Sequence, residues 1–250
     1  MKPTERFTDR VENYIRYRPN YPAQVLELLR DEMNLNENST VADIGSGTGI
    51  FTRQLLQTGC RVFGVEPNEA MRRAADEFLR GFPNFKNIEG AAEATNLPDA
   101  SVDFVAAAQA FHWFDAEKTR TEFRRILRPH GFVVLIWNER QLASTAFLRD
   151  YEQLLLEFGT DYAEVRHDKI SETILRDFFQ IDFQMRSFQN VQTVDFDGLK
   201  GRLLSASYAP NAAHPRFTEM LLELERLFKS HQTAGKVEII YDTRVFYGKF

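Results

Sequence analysis

Asp43-Ile44-Gly45-Ser46-Gly47-Thr48-Gly49 carries the strongest chemical signal in this chain. Three glycines at alternate positions let the backbone turn tightly and let a ligand come close to it. An apolar run, Thr40-Val41-Ala42, precedes the turn, and Ile50 to Leu56 follows it with helical spacing. A strand, a glycine turn and a helix start together make a nucleotide-type site, because the first turn of a helix offers unpaired N–H groups. Asp43 narrows the ligand, since a carboxylate at the strand end repels a pyrophosphate and attracts an ammonium group.

Two cofactor classes use a first strand–turn–helix of this kind, dinucleotides and S-adenosylmethionine. The dinucleotide fingerprint is Gly-x-Gly-x-x-Gly. Gly45 and Gly47 fit it, but its third glycine position is Ile50, and the third glycine falls at Gly49. A zwitterionic amino-acid tail matches the acid before the turn and the N–H groups within it. A second acid, placed to bind ribose hydroxyls, is expected about twenty residues on. Glu66 supplies it at the end of Arg61-Val62-Phe63-Gly64-Val65, and Pro67 stops that strand. Met71, on the helix that begins near Asn68, is placed to lie against an adenine face or to be plain core.

Alternating elements must hold these residues. Strands are expected at Thr40–Ile44, Arg61–Val65, Phe85–Glu89, Val102–Gln109 and Phe132–Trp137, with helices at Ile50–Gln57, Asn68–Leu79 and Ala116–Leu127. Several strands are runs of β-branched and small apolar residues, the pattern of parallel strands covered on both faces. The fold expected is α/β: a doubly wound, mainly parallel, Rossmann-like seven-stranded sheet with an antiparallel edge pair and a helical cap. Before it, Thr8 to Tyr17 reads as a short helix, and Pro22 suits the first turn of the next. After Trp137 the rhythm changes. Ser144–Phe158 and Arg216–Ser230 read as amphipathic helices with irregular sequence between them, and Phe183–Val194 and Val237–Tyr247 as late strands. The chain is therefore expected to form one domain, 1–250. Residues 1–39 would cover the cofactor, 40–138 form the core, 139–236 form a cap with one strand, and 237–250 form the last edge strand.

Composition sets the outer limits. With 250 residues, 43% hydrophobic and 27% charged, the chain can bury a full core with an elaboration. Its net charge of −5 argues against a polyanionic partner. The single Cys60 excludes an intrachain disulfide and a cysteine-rich metal site, so no metal is expected. Met1 to Arg6 has no apolar signal core, and nowhere do eighteen apolar residues run together. A cytoplasmic location without membrane attachment is the expectation. Oligomeric state has no signature here.

Val41 through Gly49 resembles the first motif of the class I S-adenosylmethionine-dependent methyltransferases, and Gly64-Val65-Glu66-Pro67 resembles their second. Gly90-Ala91-Ala92-Glu93-Ala94-Thr95-Asn96-Leu97-Pro98 is similar to the adenine-contacting segment after their third strand. Ser101 to Val105, through Gln109-Ala110-Phe111-His112-Trp113-Phe114-Asp115, is similar to their fourth strand and its loop. The resemblance is close over residues 40–137 and sparser outside. It implies S-adenosyl-L-methionine as cofactor, held by Asp43, Gly45, Ser46, Gly47, Thr48, Gly49, Glu66 and Pro67. Met71, Gln109 and Ala110 would complete that set, together with Ala92 or Glu93, of which the Ala92 N–H is an alternative adenine contact. Tyr14 to Pro22 and the Gln109–Asp115 segment look like the small-molecule branch that includes trans-aconitate methyltransferases. There the N-terminal helix folds over the cofactor, which implies Tyr14, Tyr17 or Arg18 on the methionine portion, with Arg18 on its carboxylate.

The acceptor is less legible. His112 and Trp113 follow the fourth strand, where doubly wound folds place ligands. His112 is the one candidate catalytic residue, as a general base if the acceptor must lose a proton, and otherwise shapes the pocket. Trp137, with Asn138, Glu139 and Arg140, and Tyr208, with its neighbours from Ser205, are further substrate candidates. Packing of loop and cap is the plain alternative for each. The expected acceptor is a small molecule, with a carboxylate favoured because it needs no base. Protein or nucleic-acid methylation is a competing reading, but Gln109-Ala110-Phe111-His112 replaces the Asn/Asp-Pro-Pro-aromatic of amino-group DNA methyltransferases, and Cys60 is misplaced for attack on a base. A cofactor-binding protein without catalysis is the third.

Overall fold

A computed structural model describes residues 10–162, 172–180 and 182–250. Two helices open the described chain, α1 (Val11–Tyr17) and α2 (Ala23–Met33). The predicted helix start at Thr8 and the segment Met1–Arg6 lie outside the described residues. β1 (Thr40–Ile44), α3 (Ile50–Leu56), β2 (Arg61–Val65), α4 (Glu69–Phe78), β3 (Phe85–Ile88) and β4 (Val102–Ala108) then alternate. A single turn at Phe111–Trp113 leads to α5 (Ala116–Ile126) and the long β5 (Leu127–Arg140). The rest is α6 (Ala146–Phe158), α7 (Glu172–Phe179), β6 (Gln184–Val194), α8 (Phe196–Leu204), α9 (Phe217–His231) and β7 (Val237–Lys249).

The seven strands form one sheet in the order β3-β2-β1-β4-β5-β7-β6. The first five run parallel, β7 adds antiparallel to β5, and β6 adds antiparallel to β7 at the edge. Both faces are covered, which is why β1 is buried along its whole length. Val25 and Leu29 of α2, Leu55 of α3 and Ala75 of α4 pack one face, against Val41, Val62 and Phe104. Phe123 and Ile126 of α5 and Phe178 and Phe179 of α7 pack the other, against Val105, Leu135 and Trp137. Burying each such side chain is worth about 1.5–3 kcal/mol. Local chemistry starts the helices: Asn68, Asp115, Thr145 and Asp195 each accept a backbone N–H at their helix N-terminus, worth about 1 kcal/mol apiece.

α6, α8 and α9 form the cap, a third core built on Leu148, Leu155, Leu203 and Leu224 and joined by Ile239 and Tyr241 of β7. Three expectations need correcting. The last strand is not an edge: β7 lies between β5 and β6, because its residues are apolar enough to be covered on both sides, whereas β6 is exposed at alternate positions. α2 packs on the sheet face, so of the N-terminal helices only α1 reaches over the strand ends. The stretch read as irregular holds α7 and α8, short helices whose periodicity is broken by Gly198 and Gly201 or confined to two turns.

Candidate functional site

The strand order reverses between β1 and β4, and doubly wound sheets bind ligands outside the strand ends at that point. A cavity of about 540 Å³ lies there, within the range of roughly 300–1,000 Å³ usual for small-molecule sites. Asp43 lines it from β1, Glu66 and Pro67 from the end of β2, Gln109 from the end of β4, and Asn138 from β5. Tyr14 of α1 and Arg18 just past its end close it on one side, and Arg202 and Tyr208 from the cap.

Asp43 is 1% exposed. Its Oδ2 accepts from Thr52 Oγ1 at 2.6 Å, while the buried Oδ1 has no partner among the described residues. Burial pushes this carboxyl up to about 7, with the hydrogen bond from Thr52 opposing and the nearby Glu66 adding. The turn after it is tied to β2, since the Gly45 and Ser46 N–H groups donate to Val65 O at 2.8 and 3.2 Å. Gly47, at φ +56°, has open space where a Cβ would stand, so its backbone faces the cavity directly. Its N–H donates to Glu66 Oε2 at 3.0 Å, and Asn68 N–H donates to Oε1 at 2.9 Å. Each Glu66 oxygen thus keeps a second lone pair for a ligand hydroxyl. Burial raises its pKa despite those two bonds.

The walls follow. Met71 is buried at the start of α4, where Asn68 caps its N–H. Ala91 and Ala94 exchange backbone hydrogen bonds, which sets Ala92 and Glu93 at a loop tip beside the cavity. Glu93 is also a fastener, its Oε1 accepting from Asp115 N–H at 2.8 Å. Gln109 has φ +58°, uncommon for a non-glycine residue. Its Nε2 donates to Asn138 O at 3.1 Å, and its buried Oε1 has no partner among the described residues. Ala110, His112 and Trp113 continue this side, with the His112 and Trp113 rings 4.8 Å apart.

α1 forms the roof by leaning on α8. Gly201 of α8 has no side chain because the Tyr17 ring occupies that space. Gln192 Nε2 donates to Tyr17 O at 2.8 Å, and the Arg10 guanidinium donates to Leu204 O at 3.0 Å and Ala209 O at 2.7 Å. Arg18, stacked over the Tyr14 ring, donates from Nη2 to Ser205 O at 3.0 Å, and its buried Nε has no partner among the described residues. Burial, and then the neighbouring Arg202 cation, hold its pKa below the usual arginine value. Arg140 is paired with Glu152, and Tyr162 Oη bonds both.

Four predicted residues stand apart from the cavity wall, the first being Tyr17, whose ring is seated on Gly201 of α8 instead. Thr48 is fully buried, and Gly49 caps α3 against Leu79; both shape the turn from behind. Trp137 is 2% exposed, edge-on to Phe111 and Phe246 at 6.2 and 5.8 Å. Side chains alternate along a strand, so Trp137 enters the core beneath α5 and α7, and its neighbour Asn138 reaches the cavity. Reasoning from sequence missed Tyr21, Tyr162, Arg202, Tyr241 and Asp242, which also line it. Arg202 follows Lys200-Gly201 and precedes Leu203-Leu204, and looks like any helix-surface arginine. The alternation in Val237–Tyr247 places Tyr241 on the apolar face with Ile239, a usable signal.

This chain shares its fold with solved proteins described as methyltransferases. Residues 42–135 match the family described as methyltransferase domain. An uncharacterised methyltransferase of Schizosaccharomyces pombe is 37% identical over 150 residues, which are 60% of this chain and 58% of that protein. One of Mycobacterium tuberculosis is 37% identical over 134 residues, 54% of this chain and 52% of that protein. The chain thus spans about half the length of the curated relatives it matches. A solved type II methyltransferase candidate from Anaeromyxobacter dehalogenans shares the fold with a TM-score of 0.70 at 23% identity, covering 93% of this chain and 98% of that one. No helix among the described residues is long and apolar enough to cross a membrane.

Proposed function

We propose that this chain transfers the methyl group of S-adenosylmethionine to a small-molecule acceptor, and that the accepting group is a carboxylate. The observation that carries this reading is the two-ended cavity, with buried acids at the glycine turn and arginines under the cap. The acidic end fits the methyl donor. Asp43 Oδ1 would take the ammonium, Glu66 the ribose hydroxyls, and Arg18 Nε the donor's carboxylate. Gly47 leaves room for the ligand beside its backbone, and Met71, Ala92 and Glu93 stand where an adenine would be flanked.

S-adenosylmethionine, when bound, supplies a methyl group already activated on a sulfonium. What the chain must add is alignment and the exclusion of water. α1 and α8 provide the cover, locked together at Tyr17 and Gly201. A carboxylate acceptor is ionised at neutral pH, so its oxygen forms the new C–O bond as the C–S bond breaks, sulfur keeps the electron pair, and no proton is moved. His112 and Trp113 then serve as walls. A cavity of this volume, on a chain of net charge −5, suits a metabolite better than a macromolecule.

Calorimetry with S-adenosylhomocysteine, followed by turnover against pooled metabolites read as S-adenosylhomocysteine release, tests the reading. Binding with carboxylate-dependent turnover is expected. Binding of NAD instead would overturn the donor assignment, and turnover only with nucleic acid or protein would overturn the acceptor.

A further inference from the structure

Two guanidinium groups meet under the roof of the cavity with no carboxylate between them. Arg202 is 9% exposed, and its only side-chain hydrogen bond among the described residues is from Nε to Tyr241 Oη at 3.2 Å. Its other N–H groups find no partner among the described residues, and no carboxylate there pairs with it. Arg18 is close enough for the two cations to repel, and it too pairs with no carboxylate among the described residues. Burying a guanidinium without a counter-ion is costly, so such a pair is an anion site awaiting its ligand.

Among the described residues, the other charges facing this space make no ion pair with Arg18 or Arg202. Arg140 is neutralised by Glu152, Glu139 pairs with Arg244 at 3.1 Å, and Asp242 accepts from Gln141 Nε2 at 2.9 Å. The methyl donor brings one carboxylate, and two cations await one. Arg18 lies on the donor side, sharing the neighbourhood of Tyr21 and Asp43. Arg202 lies on the cap side, among Tyr151, Tyr208 and Tyr241. One anion therefore remains to be supplied, and the acceptor is the ligand that would bring it.

We propose that Arg202 is the acceptor's anchor and sets specificity: its guanidinium binds an anionic group of the acceptor, while Arg18 binds the donor's carboxylate. Tyr241 orients Arg202, its own Oη donating to Gln192 Oε1 at 3.3 Å. The proposal rests on the methyl-donor reading above and adds the residue that selects the acceptor.

The test titrates benzoate, phenylacetate and succinate, each beside its methyl ester, into protein saturated with S-adenosylhomocysteine. At least one acid should bind, and its ester should bind about tenfold more weakly or less, the scale of a lost charge-assisted contact. Arg202→Met should lose about tenfold or more in acid affinity with S-adenosylhomocysteine binding unchanged, and Arg202→Lys should recover part of it. Arg18→Met should show the converse pattern, weakening S-adenosylhomocysteine. The proposal is wrong if no acid binds, if Arg202→Met binds acids as well as the parent, or if Arg202→Met loses S-adenosylhomocysteine instead. Should Arg202→Met fail to fold, comparing Arg202→Lys with the parent on acid and ester decides the same point. Parent protein that binds no S-adenosylhomocysteine at all sinks the donor reading itself, a separate outcome.

Discussion

Burial leaves Asp43 only partly ionised near neutral pH, and a cationic ligand needs the carboxylate. Buried and half-partnered, it titrates near about 7 against a usual 3.8. For an acid raised in this way, the stabilising contribution is full below the unfolded value and is lost as pH rises through the folded one. Unliganded protein should therefore lose stability on this account between pH about 4 and 7, by a few kcal/mol at most. An ammonium ligand needs the carboxylate, so S-adenosylhomocysteine affinity should rise about tenfold per pH unit below 7 and level off above it, with a proton released on binding. Calorimetry in buffers of different ionisation enthalpy reads both effects. Asp43→Asn should raise the melting temperature of unliganded protein at pH 8 while removing both the binding and its pH dependence. If the variant instead binds with the parent's pH profile, Asp43 is not the titrating group. Gly47 makes the complementary case. Gly47→Val forces a β-branched residue to positive φ, at about 1–2 kcal/mol, and pushes its side chain into the cavity; folded protein with strongly weakened S-adenosylhomocysteine binding is expected. These residues were legible from sequence because a turn and an acid at fixed spacing have few other uses. Arg202 was not, since its isolation from counter-charge exists only once α8 is docked.

Between residue and molecule stands the α1–α8 contact. α1 buries no residue of its own, so it adds little to stability, yet it carries Tyr14 and Arg18 into the cavity. What holds it is the Tyr17 ring seated on Gly201, with Arg10 bound to carbonyls at the end of α8. Gly201→Val should unseat Tyr17 without disturbing the sheet. We expect a melting temperature lowered by no more than a few degrees, about 1 kcal/mol, and S-adenosylhomocysteine affinity reduced about tenfold or more through loss of Arg18. An equal fall in both would make α1 a structural helix rather than a lid. The β/α alternation was readable at this scale, because runs of β-branched residues between amphipathic stretches allow few other folds. α8 was not. Its two glycines argue against a helix on propensity, and Gly201 is explained only by the long-range arrival of Tyr17, which no local pattern encodes.

On the scale of the whole molecule, the question is whether cap and core are two bodies or one. β7 answers it physically. Ile239 and Tyr241 belong to the cap core, while Val245, Phe246 and Tyr247 on the same strand belong to the cores on the two sheet faces. β5 runs beside it from Phe132 to Arg140, pairing with both portions. The cap cannot lose its packing without freeing a strand that lies inside the sheet. Leu224, fully buried on α9 and far in sequence from the glycine turn, provides the test. Leu224→Ala should cost about 2–5 kcal/mol. Both tryptophans, Trp113 and Trp137, sit at or under the β4 and β5 ends and report on the core half. Their fluorescence should therefore shift with far-UV circular dichroism in one transition, although the substitution is in the cap. If the tryptophan transition stays where it is in the parent while part of the dichroism melts earlier, the cap unfolds as a separate unit, and the cap side of the cavity can open while the glycine-turn side remains intact.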